Sequence, residues 1–174
     1  MTASLVAAIL ILSAVGSLLW AQPSKSDRRR ASMRQQAMQA GFSVTTVSVP
    51  DTSERGRIDG QTRLLTAYKK RVRGSTRPSL PELTVVRSTG ESGMGLPYGW
   101  VWKDPTFRLR GAEQQRLSAA LQALPDWVDC LVVLPDGVAL CIEERDADNR
   151  IQALQRVFAE TLQDLYEVIS SNPV

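Results

Sequence analysis

After Met1 and Thr2 the chain runs through nineteen residues without a charged side chain, Ala3 to Ala21 (ASLVAAILILSAVGSLLWA). Beyond it the pattern becomes periodic. Met33, Ala37 and Ala40 make a narrow apolar stripe at helical spacing within RRRASMRQQAMQA. Phe42–Val49 (FSVTTVSV) is β-branched and alternates, as a strand does. Gln61–Val72 (QTRLLTAYKKRV) sets Leu64, Leu65, Tyr68 and Val72 on one side, which predicts a helix. Leu83–Arg87 and Tyr98–Lys103 read as short strands. Ala112–Leu124 carries Leu117, Ala120, Leu121 and Leu124 on one helical face and stops at Pro125. Trp127–Glu144 (WVDCLVVLPDGVALCIEE) is two apolar runs about a Leu-Pro-Asp-Gly turn. About Asn149 to Ser170, the stripe Ile151, Leu154, Phe158, Leu162, Leu165 and Ile169 predicts a closing helix that covers a sheet.

Hairpins dominate this order, so the expected class is α+β: an N-terminal transmembrane helix, a basic stalk helix, then a small, mostly antiparallel sheet covered by two or three helices. In the Leu-Pro-Asp-Gly turn, Pro135 and Asp136 take the first two positions and Gly137 the left-handed bulge, which pairs Leu134 with Val138. In that register Cys130 and Cys141 lie on opposite faces and cannot bridge, whereas a two-residue loop would place them opposite each other. Trp100 and Trp102 share one strand face. Buried, they anchor a core; exposed, they form a docking patch; a domain of this size favours the core.

The opening run predicts a transmembrane helix. At ~1.5 Å per residue it is roughly 28 Å long, the thickness of a hydrocarbon core. Trp20 at its end suits the headgroup level. A signal peptide would need a positive start and a small-x-small cleavage site, but bulky Leu19 stands where a small residue is wanted. Lys25, Arg28, Arg29, Arg30 and Arg34 follow the run and are opposed by Asp27 alone. By the positive-inside rule the N-terminus lies outside and the C-terminal domain is cytoplasmic. The expected divisions are a transmembrane helix over 1–23, a basic juxtamembrane helix over 24–41 and an α+β domain over 42–174. The expected location is the bacterial inner membrane, single-pass.

Pro23 breaks the chain after this run, Ser24 or Ser26 can cap the next helix with Asp27 in its first turn, and Gly41 can end it in the left-handed conformation. Trp20, Lys25, Arg28, Arg29, Arg30 and Arg34 are the candidate membrane-interface residues. An apolar span, a Pro-Ser break, a run of arginines, a Gln/Met-rich helix and a Gly-aromatic-strand junction over Leu5–Val49 together resemble YajC, the small accessory subunit of the bacterial Sec preprotein translocase. The resemblance implies a non-enzymatic accessory protein, a lipid bilayer and the Sec translocon as partners, and no catalytic residue. YajC has a much shorter cytosolic part, and residues 50–174 have no counterpart in it.

Charge sharpens the alternative. Ser24–Arg87 holds 14 basic and 5 acidic residues, Ser88–Val174 holds 7 and 13, and the balance of +9 and −6 gives the total of +3. A basic middle beside an apolar start also suits a sensor of anionic lipid or another polyanion acting through residues 25–77. Lys69, Lys70, Arg71 and Arg73 are its candidate contacts; as a bland alternative they form the solvated end of a helix. Nucleic acid is not expected, since the arginine cluster has no interleaved aromatics.

Composition excludes much chemistry. There is no histidine, which removes imidazole-based triads and HExxH zinc sites, and two cysteines cannot build a tetrahedral thiolate site. Gly90, Gly93, Gly95 and Gly99 suggest a phosphate loop but lack the GxxxxGK[ST] order. Glu143, Glu144, Asp146 and Asp148 cluster after the hairpin, and Asp146-Ala147-Asp148-Asn149 mimics part of a calcium loop; Asp146 or Asp148 capping the last helix, with the others favouring its N-terminal dipole, explains them better. No enzyme, cofactor, metal or small-molecule ligand is therefore expected.

Overall fold

The computed structural model describes residues 24–52, 58–72, 82–90, 92–104, 111–144 and 150–171, together with Ser13, Thr106 and Leu109. Six strands form one antiparallel sheet: β1 (Ser43–Thr52), β2 (Ile58–Arg71), β3 (Leu83–Arg87), β4 (Trp100–Trp102), β5 (Val128–Leu134) and β6 (Gly137–Ile142). Their spatial order is β1-β2-β6-β5-β3-β4. Helix α1 (Lys25–Gln39) precedes the sheet, and α2 (Gly111–Ala123) joins β4 to β5. The last helix is continuous but not uniform. It runs as α3 (Arg150–Val157), one π-helical turn (Phe158–Leu162) and α4 (Gln163–Ser171), with right-handed helical backbone at both junctions.

The ends of α1 follow from its sequence. Ser24 accepts the amide of Asp27 while Asp27 accepts the Ser24 amide, a reciprocal capping box. At the other end Gly41 takes φ 84°, the Phe42 amide donates to the Ala37 carbonyl and the Gly41 amide to that of Met38. This Schellman closure turns the chain directly into β1 and drops Phe42 into the core beside Met33 and Ala37.

The expected transmembrane helix over 1–23, with the single-pass inner-membrane location and sidedness built on it, requires correction. Among the described residues no helix is long and apolar enough to cross a membrane. Helix α1 is 15 residues long and mostly polar, and the last helix is amphipathic and charged on its outer side. Of the opening run only Ser13 is among the described residues.

Gln61–Val72 is also corrected: it lies almost wholly within the strand β2 rather than in a helix. Val47 pairs with Leu65 on one side, and Leu140 with Tyr68 on the other. The strand pattern sends Leu65 and Ala67 to one face and Thr66 and Tyr68 to the other, all buried, and leaves Leu64 73% exposed. Ladder bonds to two neighbours and burial on both faces outweigh a local helical spacing.

The β5–β6 register departs from expectation too. Leu134 pairs with Gly137 and Val133 with Val138, so the turn is the two residues Pro135-Asp136. Gly137 is not left-handed; it begins β6 against β2. The turn is clamped from outside the hairpin. The Val72 amide donates to the Asp136 carbonyl, Lys69 Nζ lies 2.6 Å from the Asp136 carboxylate, and the Tyr166 hydroxyl donates to the Pro135 carbonyl at 2.6 Å. Further along, Asp129 is an extra residue between the pairs Val128–Ile142 and Cys130–Cys141. Its carboxylate accepts the Glu143 amide at 3.0 Å and Arg63 Nη2 at 3.2 Å, which gives this bulge partners of its own. Cys130 and Cys141 are therefore cross-strand neighbours on one face, both free and buried.

Gly137 supplies a direct test of the register. A Cβ there would overlap the Lys70 carbonyl oxygen and stand 3.0 Å from Arg71 Cα. Gly137→Ala should cost about 1–3 kcal/mol in urea melts, as overpacking does. A three-residue turn would free this position, and an unchanged melt would contradict the observed pairing.

The two sheet faces are closed differently. Against the helices lie Tyr68, Val85, Trp100, Trp102, Leu131, Val133, Val138, Leu140 and Ile142, together with Leu117 and Leu121 from α2 and all six stripe residues of the last helix. Both tryptophans thus belong to the core. The opposite face buries Val49, Leu65, Ala67, Val86, Val101, Cys130, Val132, Ala139 and Cys141. No described helix contributes to that cluster. β1 contacts β3 although β2, β6 and β5 separate them in the sheet, so the sheet coils over its own second face.

Candidate functional site

Two arrangements stand out, and they share a wall. The first holds α1 to the sheet. Arg34 meets Glu144 in a bidentate pair, with Nη2 to Oε2 at 2.6 Å and Nε to Oε1 at 3.0 Å. Its Nη2 also reaches the Thr66 hydroxyl at 3.3 Å, and Arg30 Nε donates to the Glu144 carbonyl at 3.1 Å. The Tyr68 hydroxyl donates to Glu144 Oε1 from below. The Glu144 side chain is 4% exposed and that of Arg34 is 43% exposed. Burial pushes the Glu144 carboxyl up, but hydrogen bonds from Arg34 and Tyr68 outweigh it and hold the group below its ordinary value. Burial and the adjoining carboxylate push the Tyr68 phenol up, so it stays a neutral donor. The hydrogen bond to Glu144 also raises Arg34. Two charges, a phenol and a hydroxyl satisfy one another here, which is the chemistry of a structural latch.

The second arrangement is a cleft of about 320 Å³ at the C-terminal end of β2. Val72, Val138, Phe158, Ala159 and Leu162 give it apolar walls, and Lys70, Arg71, Gln163 and Glu167 give it polar ones. The π-helical turn supplies Phe158, Ala159 and Leu162, and the first turns of α4 supply the two acceptor-bearing side chains. Single π-turns within α-helices recur at functional sites because the wider turn redirects side chains. Phe42 links the cleft to the latch: its ring meets that of Phe158 edge-on at 5.0 Å, and Lys70 Nζ stands 5.2 Å from its centroid.

The candidate basic residues thus divide. Arg30 and Arg34 are engaged in the latch. Lys25, Arg28 and Arg29 are exposed on α1. Lys69 faces away from Lys70 along β2 and is bound to Asp136, whose carboxyl it lowers, and Arg71 Nε lies 3.5 Å from the same carboxylate while 82% exposed. Lys70 has no salt bridge among the described residues and lines the cleft. Trp20 and Arg73 lie outside the described residues, as do Asp146 and Asp148. Among the described residues no three of His, Cys, Asp and Glu converge on a point where a metal ion could sit. The Cys141 thiol beside it, together with burial, pushes the Cys130 thiol well up, so Cys130 stays protonated.

No family model, curated protein or solved structure matches this chain. The reading of the site therefore rests on its geometry.

Sequence reasoning located Lys70 and Arg71 but missed the residues that give them a setting. Phe158 and Leu162 were legible only as core stripe, and they are core as well as cleft wall. The signal for the π-turn was faint: Leu154, Phe158 and Leu162 fall four apart in succession, a spacing that drifts off an α-helical face and that one wider turn restores. Glu144 was legible as an acid but not as the partner of Arg34, 110 residues away.

Proposed function

We propose that this chain is a non-enzymatic binding module whose partner enters the cleft at the end of β2. The observation that carries the reading is the meeting of apolar walls with Lys70, a cation that no carboxylate of the described residues neutralises, at a π-helical turn. Pockets with an apolar lining and a few convergent polar groups are the ordinary form of a recognition site. The surrounding ionisable groups are committed to structural pairs: Arg34 to Glu144, Lys69 to Asp136, Arg63 to Asp129. The Sec translocase subunits implied by the YajC resemblance are one partner class that the test covers.

The test is site-specific crosslinking in cells, with a photoreactive side chain at Gln163 in the full chain. Adducts should form, and Ala159→Trp, which fills the cleft from the exposed side of the π-turn, should abolish them without changing the melting temperature. Equal adducts in the filled variant would refute the cleft as the binding site.

A further inference from the structure

We infer that the outer edge of β1 pairs with the same edge of a second copy of this chain, joining two sheets through antiparallel Ser43–Ser48 segments. This contact is separate from the cleft and adds self-association to the binding proposed there.

A row of unpaired N–H and C=O groups is a template for another strand, so folded proteins blunt the edges of their sheets. One edge here is short: β4 is the three residues Trp100–Trp102. The other is β1, ten residues long and paired to β2 without a bulge from Ser43 to Pro50. In an antiparallel ladder every second residue turns both its N–H and its C=O away from the partner strand. Among the described residues those outward groups of Ser43–Ser48 have no backbone partner, and Ser43, Thr45, Thr46 and Ser48 are exposed. The usual protections are missing. Ser-Val-Thr-Thr-Val-Ser has no charge and no proline, and its valines and threonines favour a strand. Beyond it the character changes: Val49 is buried with Val86 and Val101 on the second face, and Pro50 follows.

Two observations select a second copy as the occupant. Val44 lies against the helix-side core and Val47 against the cluster on the opposite face, each only half-buried. A strand laid beside β1 covers both, and it must be uncharged on both faces, as β1 itself is. Symmetry supplies the second argument. A two-fold axis through the sheet near Thr45 and Thr46 sets Ser43–Ser48 against itself in reverse, so a charge there would meet its own copy. The segment carries none, and self-pairing has no like-charge penalty. Two such short strands bury less than a standard protein interface, so the dimer is a reversible one.

Sedimentation of the full chain should show a monomer–dimer equilibrium with a dissociation constant on the order of 10 μM. Thr46 is exposed, so Thr46→Lys and Thr46→Glu should each keep the melting temperature. Each should weaken the dimer about tenfold, because like charges then face each other across the axis. Mixing the two variants should restore association. Of the adjacent Thr45 and Thr46 amides one points away from β2, and its hydrogen exchange should slow as concentration rises. A chain still monomeric at about 100 μM overturns the inference. Association that both variants leave unchanged belongs to another segment, such as the apolar run Ala3–Ala21, and overturns it as well. So does a mixture that associates no better than either variant alone.

Discussion

Arg34→Ala should destabilise the fold by about 3 kcal/mol at pH 7, and the loss should shrink in acid. Removing the guanidinium leaves a carboxylate that is 4% exposed with only hydroxyl donors about it. Breaking a buried pair from one side costs about 3–5 kcal/mol, and the 43% exposure of Arg34 places this case at the low end. The pH dependence follows from the direction of the Glu144 shift. In the intact protein its carboxyl lies below its unfolded value, so its contribution is complete above that value and is lost as pH falls through the folded one. In Arg34→Ala the hydrogen bonds and charge of the guanidinium no longer oppose burial, and the Glu144 carboxyl rises relative to the intact protein. Protonation then relieves the orphaned charge, and the two proteins should converge as pH drops towards 4. Glu144→Gln should flatten the pH profile. Urea melts at pH 7 and pH 4 decide the matter: a difference that is small at pH 7 and unaltered at pH 4 would mean that water screens the pair. Since Phe42 closes α1 and also touches Phe158 and Lys70, the variant should lower affinity at the cleft as well.

Leu140→Ala should cost about 2–5 kcal/mol, the range for truncating a fully buried leucine. Leu140 is wholly buried on β6, between Tyr68 of β2 and Leu131 of β5, so the strands on either side cannot collapse into the void without breaking their ladders. Leu162→Ala should fall in the same range, and because Leu162 is also a wall of the cleft it should enlarge the cavity. Arg71→Ala is the control and should stay within about 0.5 kcal/mol. A thermal melt of Leu140→Ala indistinguishable from the parent would show that this sheet face is not the core.

Local chemistry was legible without coordinates wherever a few adjacent residues decide the outcome. Ser24 and Asp27 specify the start of α1, and Gly41 its end, because capping and left-handed closure involve only residues within one turn. The apolar stripes of α2 and the last helix were legible because each helix turns one side to a single core, made of the sheet face and the neighbouring helix, so the 3.6-residue period survives. The apolar runs on either side of Pro135-Asp136 announced a hairpin for the same reason.

The sequence by itself therefore determined which segments pair locally and which helix faces are apolar. Tertiary structure alone decided the rest. β2 is a strand because β1 and β6 flank it, and the local pattern Leu64-Leu65-Tyr68-Val72 has no knowledge of those neighbours. The hairpin register was set by Lys69, Val72 and Tyr166 gripping the turn and by Gly137 fitting against Lys70, contacts made by a segment more than 60 residues earlier or some 30 residues later. The slip from three loop residues to two brought Cys130 and Cys141 together. Arg34 and Glu144, Phe42 and Phe158, Lys70 and Glu167 are likewise joined only by the folded sheet. Hydrophobic periodicity records how a segment meets one surface; a latch or a cleft is built where three segments meet, and no period along a single segment encodes that meeting.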